Sequence, residues 1–283
     1  MTVTDYFVPR SLSEALDLLG AHGPSLMVMA GGTVAMPLVN EGISLPGQVM
    51  GLRHAGLDEL REEDGGLHIG ATVTLTRLLR QRVVPMLSEA ARSTASWSVR
   101  NMGTVGGNLF TPPPGGDIAV ALLALDASVT LARPAGTRVV PLAEFYTGFM
   151  TNVLEGDELL TGLHVPAVAG DTAYLKFGRK ASNTPSVVTV AVRPERQGAT
   201  VTNARIALGA AGPHPTRAGA AERAILGSTL DDEAVEAAAA AAAEESQPIR
   251  DGVASEWYRR RMVRLFVARA LARVRRSGDG EGR

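Results

Sequence analysis

The 283 residues contain no cysteine. That excludes disulfides, thiolate catalysis and cysteine-held iron–sulfur clusters within this chain. The histidines (His22, His54, His68, His164 and His214) are scattered, with no pair at helical ligand spacing, so no histidine metal site is expected. No stretch of about 20 apolar residues occurs, so no membrane-spanning helix is expected. Met1-Thr2-Val3-Thr4-Asp5-Tyr6 shows no basic segment followed by an apolar core; no secretory leader is expected, and the chain reads as cytoplasmic. Neither sign of charge dominates: 28 basic against 29 acidic residues give a net charge of −1, which removes any bulk pull toward nucleic acid or anionic membrane. No Ser–His–Asp or paired-carboxylate arrangement stands out, so no catalytic side chain is assigned. Internal repeats and long linkers are also missing.

What is present is an ordinary globular composition, 45% hydrophobic and 20% charged, with two glycine-rich turns. One is Ala30-Gly31-Gly32-Thr33-Val34, after the apolar run Leu26–Met29, which reads as a buried strand. The other is Arg100-Asn101-Met102-Gly103-Thr104-Val105-Gly106-Gly107-Asn108, reached through Ser96–Val99 and likewise read as a strand-to-glycine turn. Its spacing is neither a P-loop, since no Gly-Lys-Ser/Thr follows, nor the dinucleotide fingerprint G-x-G-x-x-G. Glycine admits a ligand where a Cβ would obstruct it, and successive N–H groups in such a turn form a concavity for an anion. Two turns of this kind suggest a pair of clamps on one extended phosphate ligand.

The remaining pattern predicts an α+β chain. Ser11 and Glu14 form a capping box before a helix carrying Leu12, Ala15, Leu16 and Leu19. Val34–Val39 either starts a short helix before Pro37 or leads into a loop. Val49–Leu52 and Leu67–Thr74 read as strands, and Leu75–Arg82 and Met86–Ser93 as helices split by Pro85. Phe110–Gly116, with three prolines, cannot be helical, and Asp117 is expected to cap the helix Ile118–Leu125. Val129–Ala132 and Arg138–Val140 form a hairpin around Gly136, and Glu158–Pro166 is a strand. Beyond a compositional shift at Pro166–Asp171, three strands (Ala173–Phe177, Val187–Val192, Ala204–Gly209) precede the helices Glu233–Glu245 and Glu256–Arg276. The second helix places Val263, Val267, Ala270 and Val274 on one face and arginines on the others, a pattern that suits solvent or a docking partner better than nucleic acid. Ser277–Arg283 is expected to be disordered.

The segments Ala30–Thr33 and Arg100–Asn108, with Asp117, Phe145-Tyr146, Gly156–Leu160, Arg250-Asp251-Gly252 and Trp257–Arg260, resemble the flavin-binding subunit of molybdenum hydroxylases. That family includes the carbon monoxide dehydrogenase medium subunit and the xanthine dehydrogenase FAD domain. The resemblance implies a two-lobed FAD-binding domain of the vanillyl-alcohol-oxidase type over 1–57 and 58–168, then an α+β C-terminal domain over 169–283, an antiparallel sheet with helices. It implies FAD bound by Ala30, Gly31, Gly32, Thr33 and Val34 from the first turn and by Gly103, Thr104, Gly107 and Asn108 from the second. Thr111 and Asp117 would add polar contacts, Leu160 would lie by the isoalloxazine, and Lys180 would supply a basic group near it. The sequence departs from the family at Ala35-Met36, at the tri-proline stretch and at Ala181–Pro185. The resemblance further implies a heterotrimer, itself dimerised, in which a large subunit holds the molybdenum cofactor and a small subunit holds two [2Fe–2S] clusters. FAD then passes electrons to NAD, a quinone or oxygen. A free-standing flavin oxidase and a flavin-free assembly module are the alternatives. The first is disfavoured by the lack of cysteine, and of histidine beside either turn, to tether flavin; the second by the intact Gly106-Gly107-Asn108 and Asp117.

Overall fold

The computed structural model describes residues 3–112, 115–180 and 183–278. The first lobe is a three-stranded parallel sheet, order β1-β3-β2, made of β1 (Asp5–Phe7), β2 (Leu26–Met29) and β3 (Gln48–Gly51), with α1 (Leu12–His22) and α2 (Ala35–Asn40) as its crossovers. Ser11 caps α1 by accepting from Glu14 N at 3.2 Å, while Glu14 accepts from Arg10 N. Ala15, Leu16 and Leu19 pack on Leu26 and Met50. Pro37 is accommodated in the first turn of α2, where its missing N–H costs nothing.

The second lobe is built on a five-stranded antiparallel sheet, order β4-β5-β10-β6-β7. Its strands are β4 (Leu60–Glu63), β5 (Gly66–Gly70), β6 (Ser128–Arg133), β7 (Gly136–Pro141) and β10 (Leu159–Val165). Between β5 and β6 run α3 (Leu75–Arg80), α4 (Pro85–Ser93), α5 (Trp97–Met102), α6 (Val105–Leu109) and α7 (Asp117–Ala124); α8 (Leu142–Phe145) and the small hairpin β8 (Tyr146–Gly148) and β9 (Thr151–Asn152) precede β10. All eight residues of α7 are buried, and after Asp117 the helix is apolar on every side, as a central helix must be. Each of Ile118, Val120, Leu122 and Leu123 contributes about 1.5–3 kcal/mol by leaving water.

The C-terminal part is an antiparallel sheet of β11 (Ala173–Gly178), β12 (Ser186–Gln197), β13 (Thr200–Gly209) and the short β14 (Thr216–Arg217), followed by α9 (Gly219–Ala224), α10 (Asp232–Glu245) and α11 (Glu256–Gly278). One face of this sheet takes α9 and α11, with α10 packed on those two helices; the other takes α7, so that Tyr174, Ala191 and Ala207 belong to the core of the second lobe. A Cβ at Gly209 would lie 2.5 Å from Val120 Cγ2, so glycine is needed there for α7 to lie flat on β13. The guanidinium of Arg259, 1% exposed, donates to the carbonyls of Ser186 and Val187 at 2.9 Å each and pairs with both oxygens of Asp251 at 2.8 Å. At the junction of α7 and this sheet, Asp126, in the left-handed region at φ 52°, receives Arg193 at 2.5 Å, Arg205 at 2.7 Å and Arg217 at 3.5 Å.

Four expectations are corrected. The strand opening at Leu67 leaves the sheet after Gly70, because Ala71–Thr74 turns to pair with the second glycine turn. Pro85 is the first residue of α4 rather than a gap between helices. Residues Trp97–Met102 are helical, with Ser96 as cap, so the second glycine turn links two helices and not a strand and a helix. Asp117 is the first residue inside α7; the capping position belongs to Gly116 at φ 81°, and Asn108 Oδ1 accepts from Ile118 N at 3.0 Å in place of a carboxylate cap. Of the expected disordered tail, Ser277 and Gly278 continue the α11 backbone, and the rest falls outside the described residues, as do Pro113, Pro114, Ala181 and Ser182.

Candidate functional site

The two glycine turns meet. A Cβ at Gly31 would stand 2.0 Å from the Met102 carbonyl oxygen and 3.0 Å from Gly103 Cα, so the backbones touch where no side chain fits. A Cβ at Gly103 would lie 3.3 Å from Thr33 Oγ1, and one at Gly107 would lie 3.9 Å from Ala30 Cβ. Among these glycines only Gly32 needs a positive φ, at 68°; the others are required by close approach.

The second turn is held from behind. Leu75 N donates to Gly103 O, Val105 N to Val73 O and Gly106 N to Ala71 O, each at 2.9 Å. Thr104 caps α6 by accepting from Gly107 N at 3.1 Å. The first turn has no such backing. The backbone N–H groups of Gly31, Gly32, Thr33 and Val34 donate to no other protein group among the described residues. Four consecutive free donors on a turn pressed against a second glycine turn suit a phosphate oxygen cluster, since a half-buried N–H without a partner is otherwise costly. The residues therefore fit a diphosphate-bearing cofactor.

Asp117 lies 6% exposed with its carboxylate fully engaged. It accepts from Lys176 Nζ at 2.7 Å, Ser186 Oγ at 2.5 Å and Thr189 Oγ1 at 3.0 Å, all three from the C-terminal sheet. Tyr174 donates to the Asp117 carbonyl at 3.4 Å, and burial pushes its phenol well above the ordinary value. Lys176 was not singled out in the sequence; its only signal was a charged residue in a strand otherwise apolar on that face. Lys180 is exposed on the loop after β11 and makes no hydrogen bond to either turn. It borders a cavity of about 410 Å³ together with Ser93, Lys176, Arg179 and Thr184. Leu160 is 4% exposed and packs in the second-lobe core, beside the sheet bulge that β10 makes against β6. Thr111 N bonds to Asn108 O at 3.2 Å, which ties it to the end of α6. Next to it, Tyr146 donates to Leu109 O at 3.1 Å and stacks on His214 with ring centres 5.6 Å apart; burial raises its phenol too. Among the described residues no group of three or more His, Asp or Glu is arranged to hold a metal ion, and no helix is long and apolar enough to cross a membrane.

Comparisons with known proteins agree along the whole chain. Residues 2–168 match the family described as the FAD binding domain in molybdopterin dehydrogenase, and residues 172–274 match the CO dehydrogenase flavoprotein C-terminal domain. The carbon monoxide dehydrogenase medium chain of Hydrogenophaga pseudoflava is 34% identical, covering 94% of this chain and 95% of its own. A putative xanthine dehydrogenase FAD-binding subunit of Escherichia coli is 28% identical, covering 98% and 97%. The solved structure of the Hydrogenophaga pseudoflava carbon monoxide dehydrogenase that lacks the Mo-pyranopterin moiety superposes with a TM-score of 0.92 over 96% of this chain and 97% of that one. With its glycine turns joined, its three-part architecture and these matches, the chain belongs to the FAD-binding medium subunits of the molybdenum hydroxylases, a family of oxidoreductases.

Proposed function

We propose that this chain holds FAD across its two glycine turns and acts as the electron outlet of a molybdenum hydroxylase complex. The observation that carries the reading is the contact of Gly31 with Met102 and Gly103, combined with four adjacent N–H groups that no protein acceptor takes up. On this reading Gly31, Gly32, Thr33 and Val34 donate to the diphosphate, with Ala30 and the Thr33 hydroxyl shaping the turn. Gly103, Thr104, Gly107 and Asn108 close the other side, and Thr111, Asp117, Leu160 and Lys180 border the rest of the cofactor. Asp117 is already pinned by Lys176, Ser186 and Thr189, so the C-terminal sheet fixes the position of whatever polar contact it makes. FAD, when bound, supplies the redox step, accepting electrons singly or in pairs; the protein supplies its placement and the exclusion of bulk water.

The electrons come, on the same reading, from [2Fe–2S] clusters in a small partner subunit, which are fed by a molybdenum-cofactor subunit where substrate is oxidised. The absence of cysteine here accords with that division, because the clusters need ligands this chain does not have. The acceptor is NAD, a quinone or oxygen. Purification of the native complex tests this: metal analysis, identification of the partner chains and an absorption spectrum with oxidised flavin bands, with FAD released on denaturation, are the expected results. Colourless protein that stays colourless with added FAD would assign the chain to an assembly role, and flavin retained after denaturation would assign it to a free-standing oxidase.

A further inference from the structure

Helix α11 carries eight arginines and one carboxylate, Glu256. Four of the arginines are paired inside the molecule: Arg259 with Asp251, Arg264 with Glu236, Arg273 with Glu89 and Arg275 with Asp232. Arg260, Arg261 and Arg269 are exposed and have no carboxylate partner among the described residues, although the chain holds 29 acidic side chains. Arg261 lies over the Trp257 ring at 5.7 Å, and Trp257 itself is 66% exposed. At about 3.6 residues per turn, Trp257, Arg261 and Leu265 fall on one line that Arg269 continues, opposite the core face of Val263, Phe266, Val267 and Ala270, and Arg260 flanks Trp257 at the edge of that line toward Ser246.

We propose that this outward line is a docking surface for an acidic patch on a partner subunit of the complex. The proposal rests on the subunit reading above. An indole and guanidiniums held in place by stacking form the composition enriched at the centres of protein interfaces. Guanidiniums lacking an internal carboxylate partner match carboxylates presented by another surface, each pair able to form two parallel hydrogen bonds. A second copy of this chain does not fit, because a two-fold contact would set the cationic line against itself. Nucleic acid fits less well, since Trp257 is the one aromatic exposed on the line and the chain's net charge of −1 gives no long-range attraction.

The test uses the FAD-loaded chain and the large and small subunits isolated from the native complex. Binding is measured at about 50 and about 300 mM salt for wild type, for Arg260→Glu/Arg261→Glu/Arg269→Glu, for Trp257→Ser and for the surface control Arg53→Glu. Expected are salt-weakened binding by wild type and the control, and a loss of about tenfold or more in the triple variant and in Trp257→Ser. Flavin content and melting temperature should match wild type in every variant that is scored. Partner binding by the triple variant equal to wild type would overturn the proposal. So would wild-type self-association, or duplex DNA binding, that the triple variant abolishes. A wild-type chain that binds its partners yet takes up no FAD would instead overturn the flavin reading and leave the docking surface standing.

Discussion

On the proposed reading, single residues at the junction of the turns decide whether FAD fits. At Gly107, a Cβ would lie 2.9 Å from Thr104 Oγ1, the very atom that accepts Gly107 N–H. Gly107→Val therefore adds a Cβ and two methyls beside the first turn, at a steric cost of about 1–3 kcal/mol, and FAD occupancy should fall by about tenfold. Flavin released per chain, measured on protein whose melting temperature is near wild type, checks it; unchanged flavin content would move the site elsewhere. Lys176 and Asp117 form a charge pair whose side chains are each 8% exposed. Lys176→Met leaves that carboxylate buried with only hydroxyl donors, and a loss of about 3–5 kcal/mol is expected in urea denaturation. The double variant with Asp117→Asn should be less destabilised than the sum of the two singles; simple additivity would deny the pairing.

At the scale of elements, the boundary of a strand or helix was legible where the local chemistry was self-contained. The Ser11 cap of α1, the hairpin of β6 and β7 and the apolar face of α11 need only their own residues and form as read, except that Glu14 reaches back to Arg10 N and not to the Ser11 N of a full capping box. Helix α5 and the departure of Ala71–Thr74 from the sheet were not legible, since both are fixed by bonds to a segment about 30 residues away. Asp117 was misplaced for a related reason: an Asp before an apolar run looks like a cap, and only the folded sheet brings Lys176, Ser186 and Thr189 to it. Arg138 on the edge strand β7 and Glu158, just ahead of β10, offer a pH test. Arg138 donates to both oxygens of the buried Glu158 at 2.6 and 2.7 Å, and this bonding holds the carboxyl below its ordinary value. A lowered folded-state value means the contribution is present above the unfolded carboxylate range and is lost as pH falls through the folded one. Glu158→Gln should cost about 1 kcal/mol near neutrality, discounted because Arg138 is partly exposed, and the gap to wild type should close below about pH 4. A gap that is constant with pH would mean the charge is irrelevant.

Across the whole molecule, the second lobe and the C-terminal sheet share α7, and the three arginines on Asp126 fasten the same junction. Asp126→Asn keeps a side chain that tolerates the left-handed backbone and removes the charge. It should lower stability by about 1–3 kcal/mol, and wild type should lose more than the variant on adding salt; equal salt responses would refute the electrostatic part. An α+β chain with a break near Pro166–Asp171 was legible from pattern and composition; the two-lobed plan ahead of that break came from the family resemblance. The convergence of the two turns was expected from their likeness, as two clamps on one ligand; the backbone contact of Gly31 with Met102 and Gly103 was not, because the residues between the turns carry no sign of how closely they approach.

Arg259 gives the last helix a place in the order of assembly. Its buried guanidinium donates to the carbonyls of Ser186 and Val187 at the start of β12. During synthesis this donor reaches β12 only after α11 has left the ribosome, and the sheet, with the α7 face packed on it, is expected to close only then. A stalled nascent chain ending before Glu256 should be cut by protease between Ser186 and Gly209, and a chain extended past Gly278 should resist. Equal resistance of the two would show that the sheet closes without its final helix.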